Sequence, residues 1–192
     1  MHRLIPTAAT TALLAAPLLA QAAPATYAVD PTHTFARYEI PHFNTSTNRG
    51  LFAKNSGSVV LDKQAKTGKA DITLDMSAIV TGVAPLDTHL KSADFFDVAN
   101  HPTARFVSEQ FVFEGDKVKK VVGQLTLRGK TNPVTLDALR FNCYESPMLK
   151  REVCGGDFET VIKRSEYGAD WGIKMGFADD VRVTIQIEAI KQ

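Results

Sequence analysis

From Ala36 onward, apolar and polar residues alternate in short runs. In "ARYEI", Ala36, Tyr38 and Ile40 interleave with Arg37 and Glu39. "ADITLDM" sets Ile72, Leu74 and Met76 against Asp71, Thr73 and Asp75, and "RVTIQIEAI" sets Val183, Ile185 and Ile187 against Thr184, Gln186 and Glu188. Period two marks a half-buried strand, because successive side chains leave opposite faces. "SGSVVLD", "TARFVSEQFVFEG", "VVGQLTLRG", "NPVTLDALRF" and "FETVIKR" read the same way. Turn signals part them at Lys66-Thr67-Gly68, Glu114-Gly115-Asp116 and from Arg128 to Pro133. Helical pattern is scarce. Pro85 to Ser92 predicts a turn or two, and Trp171 to Met175 one more. Eight or nine short antiparallel strands with so little helix predict an all-β domain, either a sandwich or a closed barrel.

Aligning the runs gives one inward face: Ala36, Tyr38, Ile40, Ile72, Leu74, Phe106, Leu125, Leu127, Leu136, Ile185 and Ile187. It is almost wholly apolar. A barrel of about eight strands is just wide enough for packed side chains or for one ligand. Alternation alone leaves both readings open, and a filled core is the plainer one. If the face lines a cavity, its ligand must be a lipid.

Residues 1–22 stand apart. A basic start at His2 and Arg3, an apolar run from Ala12 to Ala20 and the triplet Ala20-Gln21-Ala22 predict a cleaved secretory signal. The run is too short to span a membrane. Residues 23–192 then form one domain outside the cytoplasm. Without Arg3 its formal charge is zero, which argues against a nucleic-acid partner. Cys143 and Cys154 would meet an oxidising compartment and are expected to bridge. The loop-entropy relation gives such a link somewhat under ~3 kcal/mol.

The stretch "HLKSADFFDVANHPTARF" gathers the residues most suggestive of chemistry. Asp94 and Asp97 beside Phe95 and Phe96 could carry acid and base roles. An Asp in a loop more often bonds nearby backbone N–H groups, so "SADFF" reads more naturally as a turn with docked Phe rings. His33 and His42 flank the first clear strand and could meet His89 around a metal. However, there is no H-E-x-x-H, H-x-H or zinc-spaced Cys/His cluster, and no metal is assigned. Nucleophile elbows and phosphate loops are absent from the sequence as well.

Four stretches taken together resemble the YceI-like family. They are "YAVDPTHTFARYEIPHF", "NRGLFAKNSGSVVLD", "HLKSADFFDVANHPTARF" and "GQLTLRGKTNPVTL", in that order and spacing. The resemblance runs from about Tyr27 to Gln192. It implies an extended lipocalin-like antiparallel β-barrel of about eight strands with one or two short helices, holding a long polyisoprenoid in its lumen. It implies no enzymatic activity and no cofactor besides that lipid. The expected lumen is the inward face above with Phe52 and Phe95 added. His33, His42, Arg49, His89 and Arg164 are rim candidates on motif position. The segment from His89 to Phe106 becomes a helix and turn that borders the barrel.

Three departures from the family pattern stand out. "NCYESPMLKREVCGG" looks like an inserted, disulfide-tied excursion. Tyr38 replaces a common Phe and offers a hydroxyl to a head group, and Ala36 widens the lumen locally. The expected role is a periplasmic carrier of a quinone- or prenol-type lipid, with transient membrane contact and an oligomeric state left open, a homodimer included. The rivals are an exported hydrolase or isomerase using His89 and Asp94, and a quinone-linked accessory to a membrane cytochrome.

Overall fold

The computed structural model describes residues 23–192. The predicted leader lies outside the described residues. Eleven strands form one sheet: β1 (Ala25–Val29), β2 (Phe35–His42), β3 (Ser46–Phe52), β4 (Asn55–Asp62), β5 (Thr67–Asp75), β6 (Ile79–Val80), β7 (Thr103–Glu114), β8 (Lys117–Leu127), β9 (Lys130–Glu145), β10 (Glu152–Lys163) and β11 (Asp180–Lys191). One helix, α1 (Ala84–Lys91), lies between β6 and β7.

The eleven strands are eight long staves with three interruptions. β1 and β2 form one stave broken at residues 30–34, β3 and β4 a second broken at 53–54, and β5 and β6 a third broken by a 3₁₀ turn, Met76–Ala78. All pairings are antiparallel. They run β2–β3 and β1–β4, then β3–β6 and β4–β5, then from β5 through β7, β8, β9 and β10 to β11. β11 closes the ring with both parts of the first stave. Arg182–Gln186 pairs with β2, and Ala189–Lys191 pairs with β1. This is a closed eight-stave up-and-down barrel.

The break in the first stave has a local cause. Asp30 accepts hydrogen bonds from the Thr32 N–H and hydroxyl at 2.8 and 2.6 Å, which curls the chain into a turn. Buried Asn55 stitches this break to the next one. Its Nδ2 donates to the Thr34 carbonyl at 2.9 Å and to the Phe52 carbonyl at 3.0 Å.

Two findings correct the sequence reading. The strands are not all short: β9 has 16 residues. The "NCYESPMLKREVCGG" stretch is also not an excursion. A bulge at Leu139 shifts the inward positions of β9 from Leu136 and Ala138 to Phe141 and Cys143, and the ladder continues past it to Glu145 and resumes at Glu152. Cys143 and Cys154 face each other across that ladder with Cα atoms 4.1 Å apart, and they are bonded. The spacing is that of a non-hydrogen-bonded cross-strand pair.

Rings pack on glycines inside the wall. A Cβ on Gly50 would lie 2.2 Å from Tyr38 Cε1, and Gly50 is the register partner of Tyr38. Gly123 likewise makes room for the Phe106 ring. The barrel interior is packed at both ends. Tyr27, Leu61, Cys154 and Ala189 form one buried cluster, with Phe111, Phe113 and Phe141 against it. At the other end Leu86 and Leu90 of α1, with Phe95, Phe96 and Val98 after it, pack against Ala36, Tyr38 and Phe52.

Candidate functional site: an apolar lumen under an aromatic lid

Between these two ends the barrel is hollow. A cavity of about 450 Å³ occupies its interior, within the ~300–1,000 Å³ range of small-molecule sites. All the residues expected in the lumen line it: Ala36, Tyr38, Ile40, Phe52, Ile72, Leu74, Phe95, Phe106, Leu125, Leu127, Leu136, Ile185 and Ile187. Ile72, Leu74, Leu125, Ile185 and Ile187 face inward yet are only half-buried. In a filled core such residues would be fully covered, because interiors are close-packed.

The α1 end carries a chain of rings. Trp171 lies 4.8 Å from the His89 ring, 5.4 Å from Phe95 and 5.6 Å from Phe177, centroid to centroid. Phe177 continues to His42 at 5.5 Å and to Phe43 at 4.6 Å. Phe96 meets Phe52 at 5.5 Å. Tilted and edge-on pairs at these distances add attraction beyond simple burial. His42, His89, Phe95, Phe96, Trp171 and Phe177 all line the cavity, so these rings are its lid. Phe43 and Met175, beside the lid, are 51% and 58% exposed.

Backbone and side-chain bonds set the lid in place. Pro85 lies in the first turn of α1, where its missing N–H costs nothing, and the Asp87 carboxylate accepts from the Thr81 N–H at 2.7 Å. Ser92 ends the helix, its hydroxyl donating to the His89 carbonyl at 2.7 Å. The Asp97 N–H then donates to the Ser92 carbonyl at 2.8 Å. Arg128, in the β8–β9 turn, donates to the Ala93 and Gly168 carbonyls and so joins the two loops that carry the rings.

The rim candidates divide. His42 and His89 line the cavity at the lid, and Arg164 lines it from within, 6% exposed. His33 and Arg49 do not line it. His33 is exposed in the β1–β2 turn, where its Nδ1 lies 2.8 Å from Asp30. This contact raises the His33 pKa. Arg49 precedes Gly50 and therefore points to the outer face, where Nε donates to Glu39 at 2.8 Å. Family position placed both near the barrel end; strand parity and the turn send them outside.

His89 Nε2 does meet Asp94 Oδ2, at 3.1 Å, with the two side chains 36% and 52% exposed. Asp94 is thus bonded to an imidazole rather than pinning the turn, which Ser92 does. Among the described residues the histidines form no group of ligating atoms within 4.8 Å. The one such group joins Glu152 to Cys143 and Cys154, whose sulfurs are already bonded to each other.

Sequence reasoning missed several lining residues. Trp171 and Phe177 come from the irregular segment 164–179, where no periodicity points inward. Phe111, Phe141 and Phe158 lie on predicted or extended strands and complete the lining. Asn55 opens β4 one residue ahead of the "SGSVVLD" run, where a polar residue gives no sign of facing inward.

A closed barrel of eight antiparallel staves around an apolar hollow defines the lipocalin-like class of β-barrels. The YceI-like domain family matches residues 27–189, and this chain belongs to it. It is 30% identical to the protein YceI of Salmonella newport over 161 residues, 83% of each chain. Among solved structures it resembles BcnA of Burkholderia cenocepacia with a TM-score of 0.68 and 25% identity, covering 84% of this chain and 99% of that one. The YCEI protein of Campylobacter jejuni superposes with a TM-score of 0.67 and 26% identity, over 80% and 90%. A polyisoprenoid binding domain from Saccharophagus degradans shares the fold at 16% identity and a TM-score of 0.66, over 86% and 98%.

Proposed function

We propose that this protein binds a long isoprenoid chain in its lumen and carries it through the periplasm, without making or breaking bonds. The hollow carries the proposal. The wall is apolar on its inward face, and inward residues stay uncovered for want of protein to pack on. Each buried CH₂ is worth about 0.8 kcal/mol, so one isoprene unit carries roughly 3–4 kcal/mol of aversion to water. A chain of several units needs such a shield to cross an aqueous space. Membership of the YceI-like family supports the reading, as does the fold shared with the polyisoprenoid binding domain from Saccharophagus degradans. Periplasmic placement rests on the leader at residues 1–22.

The test is an organic extract of protein purified without detergent, read by mass spectrometry. A prenyl-chain lipid in near-stoichiometric amount is expected. A protein that is empty and takes up no added isoprenoid would end the proposal.

The His89–Asp94 contact favours a second reading, an acid–base enzyme. The double variant His89→Ala, Asp94→Ala separates the two. A carrier keeps its lipid if folded, whereas an enzyme loses turnover of any substrate found for it.

A further inference from the structure

Arg164 is a cation placed inside a greasy barrel. The guanidinium cannot shed its charge in a protein and offers only donors. Its Nε donates to the Ala178 carbonyl at 2.8 Å, and Nη1 donates to the carbonyls of Ala169 and Trp171 at 2.7 and 2.8 Å. Those three bonds wrap the segment 164–179 around it. Nη2 finds no acceptor among the described residues. The carbon at the centre of the guanidinium lies 5.9 Å from the Phe95 ring centroid, so it sits directly beneath the lid. Among the described residues no carboxylate comes within ion-pairing distance, although Asp179 and Asp170 lie close enough for their charge to act on it. Asp179 is itself occupied by the Ser165 N–H and hydroxyl at 2.9 and 2.7 Å.

The lumen therefore holds an unfilled donor rather than an uncompensated charge. Two acids nearby already supply negative potential, which disfavours a further anion. A neutral oxygen acceptor satisfies Nη2 without repelling them. Tyr38 adds a second such group. Tyr38 lines the cavity, its hydroxyl makes no hydrogen bond among the described residues, and burial, with the charge of Asp87 second, pushes its pKa up to about 12, so it stays a donor. Among the described residues one buried side-chain acceptor is left without a partner, Asn55 Oδ1, on a residue that lines the cavity at the start of β4.

We infer that the lipid is held by its head as well as its tail, and that the head is a carbonyl-type oxygen acceptor bonded by Arg164 Nη2 beneath the lid. This rests on the carrier reading and narrows it, because a bare hydrocarbon or a head with only a donor to offer leaves the guanidinium unsatisfied.

Three isoprenoid probes with one tail length test it: one ending in a methyl ketone, one in an alcohol and one in plain hydrocarbon. Binding is followed by titration calorimetry on the whole chain. A hydrogen bond from a charged donor is worth about ten- to a hundredfold in affinity. The ketone is expected to bind at least about tenfold tighter than the hydrocarbon, with the alcohol between. Arg164→Met should remove most of that preference while leaving hydrocarbon affinity in place. The infrared carbonyl stretch of the bound ketone should be lowered in the unaltered protein and not in Arg164→Met. If the variant does not fold, the probe ranking and the stretch in the unaltered protein decide alone. Equal affinity for all three probes overturns the head-group inference and spares the carrier reading. No binding of any probe, hydrocarbon included, sinks the carrier reading itself.

Discussion

The Tyr27 hydroxyl donates to Glu152 Oε1 at 2.6 Å, tying the first strand of the barrel to the tenth at the end away from the lid. Tyr27 is 1% exposed, and Glu152 also accepts from Lys63 at 2.8 Å. Tyr27→Phe removes one hydrogen bond to a charged acceptor and is expected to cost about 1.5–3 kcal/mol. Urea unfolding at neutral pH measures it. A cost near zero would mean that the seam is held by ring packing alone.

The same carboxylate gives the protein an acid limb. Burial pushes the Glu152 carboxyl up, but hydrogen bonds from Lys63 and Tyr27 outweigh it and hold it below its ordinary value of 4.5. A carboxyl lowered in the folded state contributes stability above its unfolded pKa and loses it as pH falls through the folded value. The melting temperature should therefore be steady down to about pH 4.5 and decline below it. Glu152→Gln should start lower and fall less steeply in the same scan.

Filling the lumen should empty it of lipid at little thermodynamic cost. Leu125 faces the cavity from β8. In a packed core, Leu125→Trp would be overpacked and cost ~1–3 kcal/mol. Here the larger ring has space to enter, so the cost should stay under about 1 kcal/mol. Co-purified isoprenoid should drop several-fold by mass spectrometry. A large loss of stability would show that the interior is solid.

The Cys143–Cys154 bond closes a loop of sequence separation 11. On the loop-entropy relation, replacing both residues with Ser costs up to ~3 kcal/mol. Because the bond joins strands already paired in register, the barrel should still close and keep its lipid. Calorimetry with and without reductant checks the first point, and lipid extraction the second.

Trp171 is the only tryptophan of the chain and lies in the lid, against His89, Phe95 and Phe177. Isoprenoid uptake should shift its emission to shorter wavelength, and delipidation should reverse the shift. An emission spectrum blind to lipid would mean that the ligand enters without touching these rings.

The barrel and its inward stripe were legible because parity along a strand is a strict rule. Once Tyr38 is inward, Arg37, Glu39 and, across the ladder, Arg49 are outward. Arg49 shows the limit of motif position, since one residue of register separates it from the buried Gly50. The hollow itself was not legible. Ile185 reads the same whether a neighbour fills the space before it or not. The lid was half legible: Phe95 announced itself in a dense motif, while Trp171 and Phe177 sit where Arg164 and its carbonyl partners, distant bonds with no local pattern, shape the chain.

β11 gives one stretch of its length to β1 and another to β2. Seam and gate thus hang from different parts of a single stave. Substitutions that recontour the gate for another cargo leave the ring joined, so descendants of this scaffold are free to change what they hold without relearning how to close.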